Sequence, residues 1–342
     1  RAGAPPAAPN PGNASRSDPA NETRRTALKG ISYAPMPLRQ ETTSRLANED
    51  FAGKSAAALW GPQGRGDLAV IRSLGANVVR VYGIDGDHDH RAFLDEAQAQ
   101  GLKVIAGISD RPYLHPDGSC SQTNFTCHRQ IKKQYLKVLE GGLLRADKTY
   151  HPALHSIVVA NEPDLMFFPV SEVWRWCKAV VSAVDGLADA ERLAGVRGPR
   201  PNLTAALSFS LCGRTCRRFS RSPALGQMEE LRRAFAAPER VGYRPKNHLG
   251  QMYQERFENS VNTRNPFEGK DGIRQRFLDE YDKAFAATPV IIGEYHPPDV
   301  AGAPGSSNVS LGSDLAALLA AAEEPSSMLS GAVFHEFQVR YD

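Results

Sequence analysis

Two glutamates in matching contexts are the residues best placed to do chemistry in this 342-residue chain. Ile157-Val158-Val159-Ala160 is a short apolar run suited to a strand buried on both faces, and it stops at Asn161-Glu162-Pro163. Pro163 cannot extend a ladder, so Glu162 is expected at the C-terminal end of a buried strand. Far downstream, Pro289-Val290-Ile291-Ile292-Gly293-Glu294-Tyr295-His296-Pro297 repeats the design: apolar strand, carboxylate, proline. Two carboxylates at strand ends suit a glycosidase of the retaining kind. There one acid protonates the leaving oxygen while the other attacks the anomeric carbon, with the groups roughly 5–5.5 Å apart.

Such a pair needs a scaffold that brings distant strand ends together, and the rest of the chain reads as one. Residues 1–26 are rich in Pro, Ala, Asn and Ser without periodicity, a tail or linker. Residues 27–342 form the expected catalytic domain. Its strands are read at Gly30–Ala34, Asn77–Tyr82, Lys103–Ser109, the Glu162 stretch, Leu203–Ser210, His248–Tyr253, Pro289–Glu294 and Ser330–Phe337. Helices are expected between them at Asp67–Leu74, His90–Gln100, Cys127–Leu144, Ser171–Leu193, Leu225–Phe235, Ile273–Phe285 and Leu311–Ala322. Eight strands alternating with helices predict an α/β fold, a single (β/α)8 barrel of the TIM type, in which catalytic residues sit at strand C-termini. Of the eight, the His248–Tyr253 strand rests most on this pattern. No helix follows the eighth strand, which suggests part of a longer precursor, as the start at Arg1 suggests a processed or trimmed N-terminus.

A net charge of +3 is too mild to point to nucleic acid, and no run of about 18 apolar residues is long enough to span a membrane. Five sequons begin at Asn13, Asn21, Asn124, Asn202 and Asn308, which favours a secreted or cell-surface glycoprotein. The cysteines agree: Cys120 with Cys127 and Cys212 with Cys216 flank short polar loops and are expected as two local disulfides, leaving Cys177 as a thiol. Neither pair has zinc-site spacing with partner histidines, and no metal or other cofactor is expected. The expected partner is a β-glucan or related polysaccharide. An extracellular assembly partner for the N-terminal tail is a further expectation.

Around the glutamates, Asn161 is a donor to a sugar hydroxyl or a turn former. Arg80 and Tyr82 alternate on the second strand, so both face inward if Val79 and Val81 face the helices. A buried arginine would keep a nucleophilic carboxylate ionised, although a structural ion pair has the same geometry. Tyr253, Tyr295 and Glu336 are expected at strand ends by the mouth. Tyr33, Tyr113, Phe167 and Phe168 are candidates for stacking on sugar faces, or core.

Asn161-Glu162 and Gly293-Glu294-Tyr295 resemble the clan A retaining glycoside hydrolases. More narrowly, four stretches are similar to the family 72 β-1,3-glucanosyltransferases of fungal walls: Asn77 to Asp85, Gly101 to Ala106, Gly250-Gln251-Met252-Tyr253, and Leu329 to Gln338. The resemblance runs from about Lys29 to the C-terminus. It implies Glu162 as acid/base and Glu294 as nucleophile, with Arg80, Asn161 and Tyr253 in support. The chain departs from that family's Tyr-Glu-Trp-Cys run, since Gln254, Glu255 and Arg256 follow Tyr253, and from its Ser-Glu-Tyr-Gly, which here is Gly293 to His296. Family 17 β-1,3-glucanases share the strand-end logic. A catalytically retired barrel that binds carbohydrate or serves an extracellular assembly is the alternative, against which the two intact glutamates speak.

Overall fold

The structure, a computed structural model, describes residues 26–35, 50–115, 118–167, 172–208, 224–269, 272–296 and 311–337. Eight parallel strands close into a barrel in chain order: β1 (Leu28–Tyr33), β2 (Val78–Ile84), β3 (Lys103–Ile108), β4 (Leu154–Asn161), β5 (Asn202–Ser208), β6 (Asn259–Thr263), β7 (Val290–Tyr295) and β8 (Leu329–Phe337). Helices alternate with them, the longest being Val173–Ala194. This is the (β/α)8 barrel that the strand-and-helix alternation predicts.

Hydrophobic burial is divided by the wall. A large apolar layer lies between strands and helices, holding Val79 and Val81 of β2 and Ile292 of β7. A small separate cluster of Val78, Ile105, Val158, Ala206, Ile291 and Val333 fills the lumen. Val78 therefore faces the lumen while Val79 and Val81 face the helices, so the period of two carries Arg80 and Tyr82 inward. That plug makes the barrel a packed core and leaves its C-terminal end to polar groups.

The sixth strand is a correction. His248–Tyr253 is not a strand: Leu249–Arg256 is a helix burying Leu249 and Tyr253, one turn apart. β6 is Asn259-Ser260-Val261-Asn262-Thr263, all five residues buried. Four of these five side chains are polar, so no apolar alternation marks the strand.

Both glutamate-bearing strands carry an irregularity just before the mouth. On β7, Ile292 opposes Val261 and Glu294 opposes Asn262, so Gly293 is an extra residue against β6. On β4, Val158 opposes Thr204 and Ala160 opposes Ala205, leaving Val159 extra. Such bulges bend a strand and re-aim the side chains beyond them.

Candidate active site

Glu162 ends β4 in the left-handed region, with φ 45° and ψ 51°. This conformation is costly for a residue with a side chain, and surrounding bonds hold it. The Glu162 amide donates to the Ala206 carbonyl at 2.7 Å, while the Glu162 carbonyl accepts from Leu165 and Met166 amides. Asp164, fully buried, accepts from the Ser208 amide at 3.1 Å and from Gln227 at 2.9 Å, tying the turn to the end of β5.

Arg80 is the hub. It is 1% exposed. Its Nη1 donates to the Gly293 carbonyl at 2.6 Å and its Nη2 to Asn161 Oδ1 at 2.7 Å. Nη2 also lies 3.3 Å from Glu294 Oε1. The close approach needs Gly293: a Cβ there would stand 2.9 Å from Nη1 and 2.4 Å from Ser260 Oγ. Tyr82 stacks under the guanidinium, its centroid 4.7 Å from the central carbon, and its hydroxyl donates to Ser32 Oγ. From β6, Asn262 Nδ2 donates to Glu162 Oε1 at 3.1 Å and to Asn161 Oδ1 at 3.2 Å. On the far side of the nucleophile candidate, His296 Nε2 lies 3.2 Å from Glu294 Oε2. The His296 ring packs on His335, centroids 4.2 Å apart.

The two carboxyls thus sit in unlike surroundings. For Glu162, burial raises the pKa, the Asn262 hydrogen bond opposes that, and the charge of Glu294 adds to it; the net shift is upward. For Glu294, burial also raises it, but the His296 hydrogen bond and the Arg80 charge outweigh burial and bring it down to about 2. One group is biased to hold a proton and the other to stay ionised, the split that acid and nucleophile roles require. Both line one cavity of about 330 Å³, together with Ser208, Asn262, Arg264 and His296. A second cavity of about 520 Å³ adjoins on the β2–β3 side, lined by Arg80, Tyr82, Ser109, Asp110, Arg111 and Asn161.

The structure brings together Glu162, Glu294, Asn161, Arg80 and Tyr82. It sets the other tyrosines apart. Tyr253 lies in the outer layer against Phe235 and Phe257, bonded to Asn259 at the start of β6, because its segment is helical. Tyr33 and Tyr295 point outward from their strands and donate to the buried carboxylates Asp67 and Asp314. Tyr113 donates to the Val159 carbonyl and packs on Phe167, so both are core. Glu336 stands beside His335 at 3.3 Å. Phe168 lies outside the described residues.

Asn262, His296, His335 and Gly293 were not singled out from sequence. His296 and Gly293 flank Glu294 in the chain, and His335 precedes Glu336, so proximity was the available signal; Asn262 had none, because its strand does not read as one. Glu294, His296 and His335 offer three ligand atoms within 4.8 Å of one another. The stacked rings and the hydrogen bond to Glu294 account for that cluster without an ion.

Cys120 and Cys127 form a disulfide, and Cys177 is a buried thiol. Cys212, Cys216, Asn13, Asn21 and Asn308 lie outside the described residues, as do residues 1–25 of the tail. Asn124 is exposed beside the disulfide, whereas Asn202 opens β5 half-buried. Among the described residues no helix is long and apolar enough to cross a membrane.

Fold and site define a (β/α)8 barrel with one carboxylate at the end of β4 and another at the end of β7. No protein-family model matches the sequence, and no curated protein matches it. Solved structures do. Saccharomyces cerevisiae Gas2p in complex with laminaripentaose has a TM-score of 0.53 at 17% identity, over 93% of this chain and 59% of that one. Gas2 in complex with compound 10 gives 0.56 at 17% identity, over 94% and 60%. The chain therefore spans about three fifths of the length of these neighbours, and what they share with it is the barrel fold.

Proposed function

We propose that this protein is a retaining glycoside hydrolase or transglycosylase acting on β-1,3-glucan or a closely related β-glucan. The observation that carries the reading is the single cavity in which Glu162 and Glu294 meet with their protonation preferences driven apart by Asn262, Arg80 and His296. Arg80 touches Glu294, Asn262 touches Glu162, and Arg80 Nη1 is 3.5 Å from Asn262 Oδ1. These contacts support two carboxyls that share one cleft; a double displacement needs them roughly 5–5.5 Å apart.

In the first step a Glu294 carboxylate oxygen bonds to the anomeric carbon as the glycosidic C–O bond breaks, and the Glu162 proton passes to the departing oxygen. In the second, water or a sugar hydroxyl attacks the same carbon, gives its proton to Glu162 and releases the Glu294 carboxylate. Asn161, fixed by Arg80 and Asn262, is placed to meet a hydroxyl of the bound sugar. The resemblance to family 72 glucanosyltransferases and a neighbour whose bound ligand is laminaripentaose together favour β-1,3-glucan. The Cys120–Cys127 disulfide and the sequons favour action outside the cell.

Incubation with reduced laminari-oligosaccharides of one length tests the reading. Products shorter than the donor indicate hydrolysis, and longer ones indicate transfer. Unchanged activity in both Glu162→Ala and Glu294→Ala would overturn it.

A further inference from the structure

We infer that His335 is a positioning residue for the nucleophile: its ring holds the plane of His296, and His296 in turn fixes the second oxygen of the Glu294 carboxylate. The inference rests on the glycosidase reading and adds to that site a residue that acts through another. At the ends of β7 and β8, Tyr295 stands opposite Phe334. One residue further along each chain come His296 and His335, and in a parallel pair residues at matching positions share a face. Tyr295 turns outward to Asp314, so the two histidines turn to the mouth. The His296 backbone is held from β6, its amide donating to the Thr263 carbonyl at 3.0 Å. Its imidazole lies on that of His335, with centroids 4.2 Å apart and planes inclined by 34°. The His335 ring has holds of its own. Its Nε2 is 3.3 Å from Glu336 Oε2, and the Tyr82 ring meets it at 79° with centroids 6.3 Å apart.

The Glu294 carboxylate has a donor at each oxygen. Oε1 faces Arg80, which is itself pinned by the Gly293 carbonyl and Asn161. Oε2 faces His296 Nε2 at 3.2 Å. Arg80 alone would leave the carboxylate free to swing about one oxygen; the second donor stops that, as a near-attack geometry requires. An ionised carboxylate only accepts, so His296 Nε2 must carry a hydrogen, and the bond lasts only while the ring keeps its plane. The terminal torsion of an imidazole is broad, and a stacked neighbour narrows it. Two charged imidazoles 4.2 Å apart would repel. Burial pushes His335 toward its neutral form against the pull of Glu336 and Glu294, so it can stack on His296 without that repulsion. His296 stands where the Ser-Glu-Tyr-Gly run has glycine, so this second hold lies outside that motif.

A double-mutant cycle on an activated aryl β-glucoside tests the inference, with wild type, His296→Ala, His335→Ala and the double variant. Expected is a kcat about 10–100-fold lower in His296→Ala, which loses a hydrogen bond to a charged group, with KM within about threefold. His335→Ala should lose about tenfold, again in kcat and not in KM. The double variant should be no worse than His296→Ala, because the ring through which His335 acts is already gone. His335→Phe keeps a flat ring and should regain most of the kcat. Losses that multiply in the double variant, a His335→Ala kcat near wild type, or a phenylalanine no better than alanine would each overturn the inference and leave the glycosidase reading intact. If His335→Ala fails to fold by circular dichroism, His335→Leu takes its place, filling the space without a flat ring. If wild type turns over neither the aryl glycoside nor laminari-oligosaccharides, the glycosidase reading fails, and carbon-13 NMR of the Glu294 carboxyl decides through the same cycle. A titration raised above about 2 in His335→Ala, with no further rise from that change in the His296→Ala background, upholds the link between the rings. No rise, or the same rise in both backgrounds, overturns it.

Discussion

Replacing Arg80 by methionine removes one charge from the centre of the site, and its consequence can be worked from the geometry. Arg80 Nη2 and Glu294 Oε1 are 3.3 Å apart, and both residues are buried. At an effective dielectric of about 20, unit charges at that distance attract by about 5 kcal/mol, or between three and four pKa units. Glu294 sits at about 2 with the arginine present. Without it, burial is opposed only by His296 and the charge of His335, and the carboxyl should titrate at roughly pH 5–6. Since Glu294 attacks only when ionised, the acid limb of kcat/KM on an activated aryl β-glucoside should move up into that range. Carbon-13 NMR of the glutamate carboxyls reads the same shift without turnover.

Stability follows with a definite sign. A carboxyl whose folded pKa lies below its unfolded value, here about 2 against 4.5, contributes stability above pH 4.5 that is lost as pH falls toward 2. The loss amounts to about 3 kcal/mol in wild type and should largely vanish in Arg80→Met. The variant should also be less stable at neutral pH, because Asn161 Oδ1 and the Gly293 carbonyl lose a buried donor, at about 1–3 kcal/mol each. A Glu294 carboxyl that titrates at the wild-type pH in the variant would refute the reasoning and leave His296 as the controlling group.

Other outcomes are expected. Glu294→Ala should lose several orders of magnitude in activity, with azide giving a glycosyl azide of inverted configuration. Glu162→Ala should keep far more activity on an activated aryl glycoside than on a glucan, with azide giving the retained product. Gly293→Ala should fold yet lose most of its kcat, since its Cβ would meet Ser260 Oγ at 2.4 Å and Asn262 Oδ1 at 2.9 Å and push Arg80 aside; a kcat near wild type would show that the bulge tolerates the methyl. Reducing Cys120–Cys127, whose sequence separation is 7, should cost about 2–3 kcal/mol by loop entropy and lower Tm by several degrees, read by calorimetry with and without reductant.

The parts of the fold visible in sequence are those with a simple apolar signature. The runs ending at Glu162 and Glu294 announce buried strands because their outward side chains pack under helices. The same alternation turns Arg80 and Tyr82 to the lumen, as sequence spacing implies when Val79 and Val81 face the helices. β6 defeats this logic. Its inward residues serve the site, its neighbours satisfy their polar groups, and Tyr253 sits on a helical face that burial at Leu249 and Tyr253 fits equally well. Tyr33 and Tyr295 fail for a related reason: a tyrosine at a strand end can face either way, and a buried carboxylate behind the wall, Asp67 or Asp314, draws its hydroxyl outward.

What sequence spacing cannot carry is aim. On an unbroken β7, Ile291 faces the lumen and Ile292 the helices, so Glu294 would follow Ile292 outward. The extra residue at Gly293 resets the alternation and puts Glu294 opposite Asn262, against Arg80. The irregularity on β4 precedes Asn161 in the same way, and the left-handed turn at Glu162 completes the redirection. A bulge leaves little trace in composition beyond a glycine, and on β4 not even that. Yet Gly293 does two things at once: it supplies the extra residue, and it leaves the space into which Arg80 Nη1 reaches its carbonyl. The identity of the carboxylates is thus written in local sequence, whereas their convergence depends on register between strands far apart in the chain.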